Sequence, residues 1–91
     1  MEKYTDINAK PLLEKLKGWE FKSDGIEKKF IFNNFSHALG FIMQIGLLAE
    51  KQNHHPELFN VYNKVTIRLS THEVGGVTDK DFSLATSIED I

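Results

Sequence analysis

There is no cysteine anywhere in the 91-residue chain, which removes disulfides, thiolate metal sites and a cysteine nucleophile together. Nowhere do apolar residues run for the ~20 positions that a membrane span requires. The opening residues, Met1-Glu2-Lys3-Tyr4-Thr5-Asp6, lack the basic start and apolar core of a secretory signal. Basic charge is also scarce: eleven Lys and Arg stand against thirteen Asp and Glu, a formal net charge of −2. Phosphate is neutralised by clustered cations, so direct nucleic-acid binding through a basic surface is not expected. Phosphate-cradling Gly-x-Gly-x-x-Gly and Walker loops are missing, as is a Gly-x-Ser-x-Gly nucleophile elbow. The chain shows no repeat, low-complexity tract or internal linker. The expectation is one small domain over residues 1–91, cytoplasmic, with neither a membrane nor a nucleic acid as partner.

What is present is a regular succession of elements. Asn8 can cap a first helix with Pro11 in its opening turn, where a missing N–H is tolerated; Leu12, Leu13 and Leu16 give its buried stripe, and Gly18 stops it. Trp19-Glu20-Phe21-Lys22 alternates as a strand, and Ser23-Asp24-Gly25 reads as a hairpin turn. Ile26, Lys28, Phe30 and Phe32 share one face of the returning strand, with Lys28 toward its exposed end. A long helix follows over residues 34–54. Glu57 to Val61 and Val65 to Ser70 form two more strands around Tyr62-Asn63-Lys64, and Val65, Ile67 and Leu69 face one way. After Gly75-Gly76, Thr78 and Asp81 resemble a capping box for a last helix whose buried stripe is Phe82, Ala85 and Ile88. The order αββαββα predicts an α+β fold, a four-stranded antiparallel sheet with three helices packed on one face.

The long helix is apolar over an unusually wide arc. Phe35, Leu39, Ile42, Met43 and Gly46 fall on one side, and Phe41, Ile45, Leu48 and Ala49 on another. His37, Gly40, Gln44 and Lys51 leave only a narrow wet stripe. One sheet cannot cover both sides, so the spacing predicts self-association, as a homodimer or homotetramer through helix 34–54.

The densest chemistry is Glu50-Lys51-Gln52-Asn53-His54-His55-Pro56, where the helix must stop. Pro56 biases His55 toward an extended conformation. Glu50 and His54, four residues apart, are expected as neighbours on the last turn. His72 ends the last strand, and Asp81 lies in the first turn of the final helix. A carboxylate beside an imidazole orients it, and His exchanges protons near neutral pH, so an acid/base pocket is the preferred reading. The alternative is a metal-dependent hydrolase using Glu50, His54 and His72 as ligands, although no recognised metal motif surrounds them.

Glu50-x-x-x-His54-His55-Pro56, then Tyr62, His72 and Asp81, resembles the signature of the pterin-4a-carbinolamine dehydratases. The text Ala49-Glu50-Lys51, His55 through Val65, and Leu69-Ser70-Thr71-His72-Glu73 is similar to that family almost continuously. The resemblance implies dehydration of 4a-hydroxytetrahydropterin to quinonoid dihydropterin, which recycles the tetrahydropterin cofactor of aromatic amino-acid hydroxylases, with no metal or cofactor of its own. It implies that His54, His55 and His72 line the pterin site; within that site the expectation is that His54 and His72 transfer protons, Glu50 tunes or orients His54, and His55 binds the ring. Asn53, Pro56, Leu58, Tyr62, Lys80 and Asp81 support the site or bind substrate. Many relatives carry Trp at the position of Leu58, some carry Asp at that of Asn53, and animal members carry Arg at that of Lys80. Similar proteins in animals also bind the dimerisation helices of a homeodomain transcription factor, through the helical surface that forms their tetramers. A coactivator role, with nuclear as well as cytoplasmic location, is the implied alternative for an animal chain.

Overall fold

A computed structural model describes residues 1–91. The chain runs α1 (Lys10–Leu13), β1 (Glu20–Lys22), β2 (Gly25–Ile31), α2 (Phe35–Gln52), β3 (Glu57–Val61), β4 (Lys64–Leu69) and α3 (Asp79–Glu89). This is the αββαββα order and the α+β class that the periodicities predict. The sheet order is β1-β2-β4-β3 with every pair antiparallel, so α2 and β3 form an excursion that returns β4 beside β2.

Alternation along β4 sets the core. Val65, Ile67 and Leu69 are fully buried, and each such side chain removed from water contributes about 1.5–3 kcal/mol. Onto this face packs α2 through Ala38, Phe41, Ile45 and Ala49, spaced three and four residues apart. Phe41 sits between Phe30 and Phe32, with ring centroids 4.8 Å from each. Asn34 caps α2 by accepting from His37 N–H at 2.9 Å.

Lys28 departs from expectation. It shares the helix-facing side of β2 with Ile26 and Phe30, but its side chain is half-buried and its amine is tied down rather than free at an exposed end. It donates to Glu89 and to Lys17 O, both at 2.8 Å, and lies 4.7 Å above the Phe30 ring. Glu89 also accepts from Trp19 Nε1–H at 2.9 Å. A partly buried cation persists because a carboxylate, a carbonyl and a ring face all receive it.

The first helix is shorter than its leucines suggest. Bonds from Lys15 N–H to Leu12 O and from Leu16 N–H to Leu13 O reach back only three residues, which tightens the chain into turns. Leu16 is still buried, and Leu12 and Leu13 are half-buried. Asn8 does not cap this helix: its side chain accepts from Thr5 N–H at 2.7 Å while Thr5 Oγ1 accepts from Asn8 N–H, closing the preceding turn. Gly18 ends the region at φ 88°, open to glycine without strain.

The ends of α2 and β4 and the start of α3 meet at one end of the molecule. The β1–β2 turn lies at that end too, with Ser23 and Asp24 both at positive φ. It is gripped by Arg68, which donates to Lys22 O and Ser23 O, and by Ser70, which donates to Asp24 O at 2.8 Å.

Candidate active site

The helix α2 stops because Asn53 adopts the left-handed conformation, φ 51° and ψ 44°, which Asn tolerates better than most residues with a Cβ. Asn53 N–H donates to Glu50 O at 3.2 Å and His54 N–H to Ala49 O at 3.0 Å. These paired bonds are a Schellman closure with Asn in the usual place of Gly. The consequence overturns one expectation: His54 has left the helix, so it does not stack on Glu50.

His54 instead turns inward. Its Nε2–H donates to Asp81 Oδ1 at 2.5 Å, and Asp81 is wholly buried. Glu50 receives His55, Nε2 to Oε1 at 2.6 Å, and this second pair is exposed. An exposed pair contributes little to stability, so its value lies in directing the His55 ring. The rival metal set is not assembled: Glu50 is turned onto His55, His54 Nε2 is taken by Asp81, and no three His, Asp or Glu side chains gather as a metal cluster.

Asp81 is satisfied on all sides. Its Oδ2 accepts from Thr71 Oγ1 at 2.8 Å and from Thr78 N–H at 2.9 Å. The Thr71 proton is thereby committed, so Thr78 Oγ1 donates to Thr71 Oγ1 at 2.7 Å and accepts from Lys80 N–H at 3.2 Å. This is the capping box predicted from Thr78 and Asp81, and it carries a second duty. The acid that caps α3 is also the acid that orients His54. With Nε2 occupied, the ring nitrogen left for chemistry is Nδ1.

His72 sits on a turn between Thr71 and Gly76, which form a bridge closed by Thr71 N–H to Gly76 O at 2.8 Å, with Gly75 at φ 67°. His72 is brought to the same cavity as the other two imidazoles. A cavity of about 240 Å³ is lined by Asn53, His54 and His55 from one side and by Ser70, Thr71, His72 and Glu73 from the other. Larger concavities of about 480 and 510 Å³ flank α2, but hydrogen-bonded imidazole–carboxylate pairs occur only at the smaller one.

Of the residues singled out from sequence, Asn53, His54, His55 and His72 line this cavity, with Glu50 and Asp81 one bond behind. Lys80 does not line it but lies 3.4 Å from Glu73, which does. Pro56, Leu58 and Tyr62 do not line it. Pro56 redirects the chain into β3, Leu58 pairs across to Ile67 on the helix side of the edge strand, and Tyr62 forms the β3–β4 turn at φ 51°. Sequence reasoning missed Thr71, whose hydroxyl holds Asp81. The available signal was its place one step past the buried Val65, Ile67, Leu69 alternation, which turns it inward.

The molecule is thus a small α+β domain with a buried Asp–His pair beside a polar cavity lined by three histidines. The sequence profile of the family described as Pterin 4 alpha carbinolamine dehydratase matches residues 2–91, and the chain belongs to that family. A Sulfurisphaera tokodaii protein assigned by name to the pterin-4-alpha-carbinolamine dehydratases is 41% identical over 91 residues, covering 100% of this chain and 98% of the relative. One from Prochlorococcus marinus is 45% identical over 93 residues, covering 100% and 97%. The crystal structure of a Brucella melitensis protein described as a transcriptional coactivator/pterin dehydratase superposes with a TM-score of 0.92 at 38% identity, over 98% of this chain and 97% of that one. A pterin dehydratase-like RuBisCO assembly factor of the alpha-carboxysome shares the fold, with a TM-score of 0.65 at 18% identity over 79% of this chain and 83% of that one.

Proposed function

We propose that the chain dehydrates 4a-hydroxytetrahydropterin to quinonoid dihydropterin in the cavity of His54, His55 and His72, so recycling a tetrahydropterin cofactor. The observation that carries this reading is the convergence of three imidazoles on one polar cavity, with one of them clamped by a buried carboxylate. The reaction is a redox-neutral elimination. The bond between C4a and the hydroxyl oxygen breaks as that oxygen takes a proton, a ring nitrogen gives up a proton, a C=N bond forms, and water leaves. One acid and one base suffice.

The base in this reading is His54 Nδ1, because Asp81 fixes the proton on Nε2 and steadies the imidazolium that forms when Nδ1 accepts another. His72, across the cavity, is the acid for the departing hydroxyl. His55, directed by Glu50, holds the pteridine edge. Ser70, Asn53 and Glu73 supply further polar partners for a ring whose perimeter is rich in donors and acceptors. The test is stopped-flow dehydration of chemically generated carbinolamine. His54→Ala or His72→Ala is expected to lower kcat by about 10²–10⁴ while pterin binding changes little. A wild-type chain that gives no acceleration over the uncatalysed reaction would overturn the reading.

We also infer that the outer face of α2 is covered by a second copy. Phe35, Leu39, Met43 and Leu47 recur every four residues and remain 46–67% exposed, a ridge suited to packing against its own counterpart. Burying the exposed portions on two protomers is worth on the order of 10 kcal/mol, enough to offset a typical association cost. Light scattering is expected to show a dimer or tetramer, and Leu47→Glu to shift it toward monomer. A wild-type monomer that captures a helical peptide on this face would favour the coactivator reading instead.

A further inference from the structure

Lys3 and Tyr4 are tied to the single stretch that presents both His72 and Asp81. Tyr4 N–H donates to Val77 O at 2.7 Å in an antiparallel bridge. Its phenol donates to Asp79 Oδ1 at 2.5 Å, and its ring meets Phe82 edge-on, centroids 5.0 Å apart at 82°. The Lys3 side chain lies over Gly76, where an added Cβ would meet it at 2.7 Å. Two of these attachments fall on Val77 and Asp79, the residues on either side of Thr78. Thr78 in turn gives its N–H to Asp81 and its hydroxyl to Thr71. One residue before Val77, Gly76 closes the turn on which His72 rides.

We propose that Tyr4 is a positioning residue for the dehydration: by pinning the peptide on both sides of Thr78, it holds Asp81 on His54 and the His72 turn across the cavity. The inference rests on the dehydratase reading above. Tyr4 itself faces a separate concavity shared with Asn8 and Asp79 and does not line the histidine cavity, so it acts only through the residues it holds. The phenol matters as well as the ring, because the ring alone could slide on Phe82, whereas the bond to Asp79 fixes the first residue of α3.

The test uses Tyr4→Phe, which keeps the ring and the backbone bridge and removes only the hydroxyl. At a temperature where the variant is fully folded, kcat is expected to fall about 5-fold with KM within about 2-fold of wild type, since small misplacement of catalytic groups slows turnover more than binding. Asp79→Asn, which retains an oxygen to accept from the phenol, is expected to stay near wild type. The double variant should be no worse than Tyr4→Phe alone, because Asp79 reaches the site only through the bond that Tyr4→Phe already removes. In parallel, the His54 Nε2–H resonance, read by nitrogen–proton NMR without substrate, is expected to shift in Tyr4→Phe. Wild-type kcat together with an unshifted His54 resonance, even with a lowered Tm, overturns the proposal and leaves Tyr4 a structural strap. If the wild-type chain turns over no carbinolamine, the dehydratase reading fails by itself, and the His54 resonance still decides whether Tyr4 positions that ring.

Discussion

Replacing Asp81 by Asn leaves the shape of the buried site almost unchanged and reverses one hydrogen bond. Three donors point at Asp81: Thr78 N–H, the Thr71 hydroxyl and His54 Nε2–H. An Asn side chain offers one carbonyl oxygen and one NH₂. Thr78 N–H is backbone and cannot become an acceptor, so the amide oxygen must face it and Thr71. The NH₂ then faces His54 Nε2, which must give up its proton and move it to Nδ1. His54 thereby presents a donor to the cavity where the proposed mechanism needs a base, and its imidazolium loses the carboxylate that would steady it. In an Asp–His pair used this way, the amide substitution lowers kcat by about 10²–10⁴. Weakening the charge-assisted bonds should also cost about 2–3 kcal/mol, or roughly 10–20 °C in Tm for a chain of this size. Asp81→Ala is less informative, because three buried donors would be left unpaired against a total stability of about 5–15 kcal/mol. The assay is stopped-flow dehydration at a temperature well below the variant's Tm, paired with nitrogen NMR of the His54 ring. A folded Asp81→Asn protein with kcat within about threefold of wild type, far short of the tautomer penalty, would refute the reasoning.

Three further outcomes follow from other parts of the molecule. Asn53→Gly should leave Tm close to wild type or slightly raised, whereas Asn53→Val should cost about 1–2 kcal/mol in thermal melts, because a β-branched side chain resists the left-handed φ. Glu89→Gln should lower stability by about 1–3 kcal/mol in urea titrations by weakening the bonds from Lys28 and Trp19, with kcat unchanged. The hydrogen bond from Tyr4 to Asp79, with burial and the charges of Asp79 and Glu2 adding to it, raises the phenol above its ordinary value of 10.0. The folded state therefore holds that proton more tightly than the unfolded one. Stability from this group is full below pH 10 and is lost as pH rises through the raised value. Denaturation from pH 8.5 to 11 should show wild type losing its advantage over Tyr4→Phe across that window, and a constant difference between the two would contradict the assignment.

Where the sequence was legible, a local rule and the tertiary environment agreed. The alternation of Val65, Ile67 and Leu69 gave the buried face of β4 because nothing competes with a two-residue period in a strand packed on one side. Thr78 and Asp81 announced a helix start for the same reason, since a cap is settled within three residues. The partner of His54 was not legible. Helical spacing favoured Glu50, but a single left-handed residue at Asn53 rotated the chain, and the true partner lies 27 residues away. Lys28 was misplaced because a cation in a strand ordinarily marks the wet end, and its neutralising groups come from Lys17 and Glu89, distant in sequence. Leucine spacing overstated α1 because periodicity reports which residues become buried, not whether the backbone between them closes as α-helix or as tighter turns. The wide apolar arc of α2 was readable from spacing alone, since one sheet can cover only one side of a helix.

Asp81 belongs to two structures at once, and this ties the working state of the site to a local opening equilibrium. The first turn of α3 sits near the end of an element, where molecules unwind more often than they unfold as a whole. Each time that turn frays, the acid that caps it is drawn off His54, so a molecule with a melted first turn has an intact core and an undirected His54 ring. Turnover should therefore scale with the population in which Thr78, Lys80 and Asp81 are wound. Amide hydrogen exchange at those residues would report the active fraction, and on warming that fraction should decline before the sheet melts.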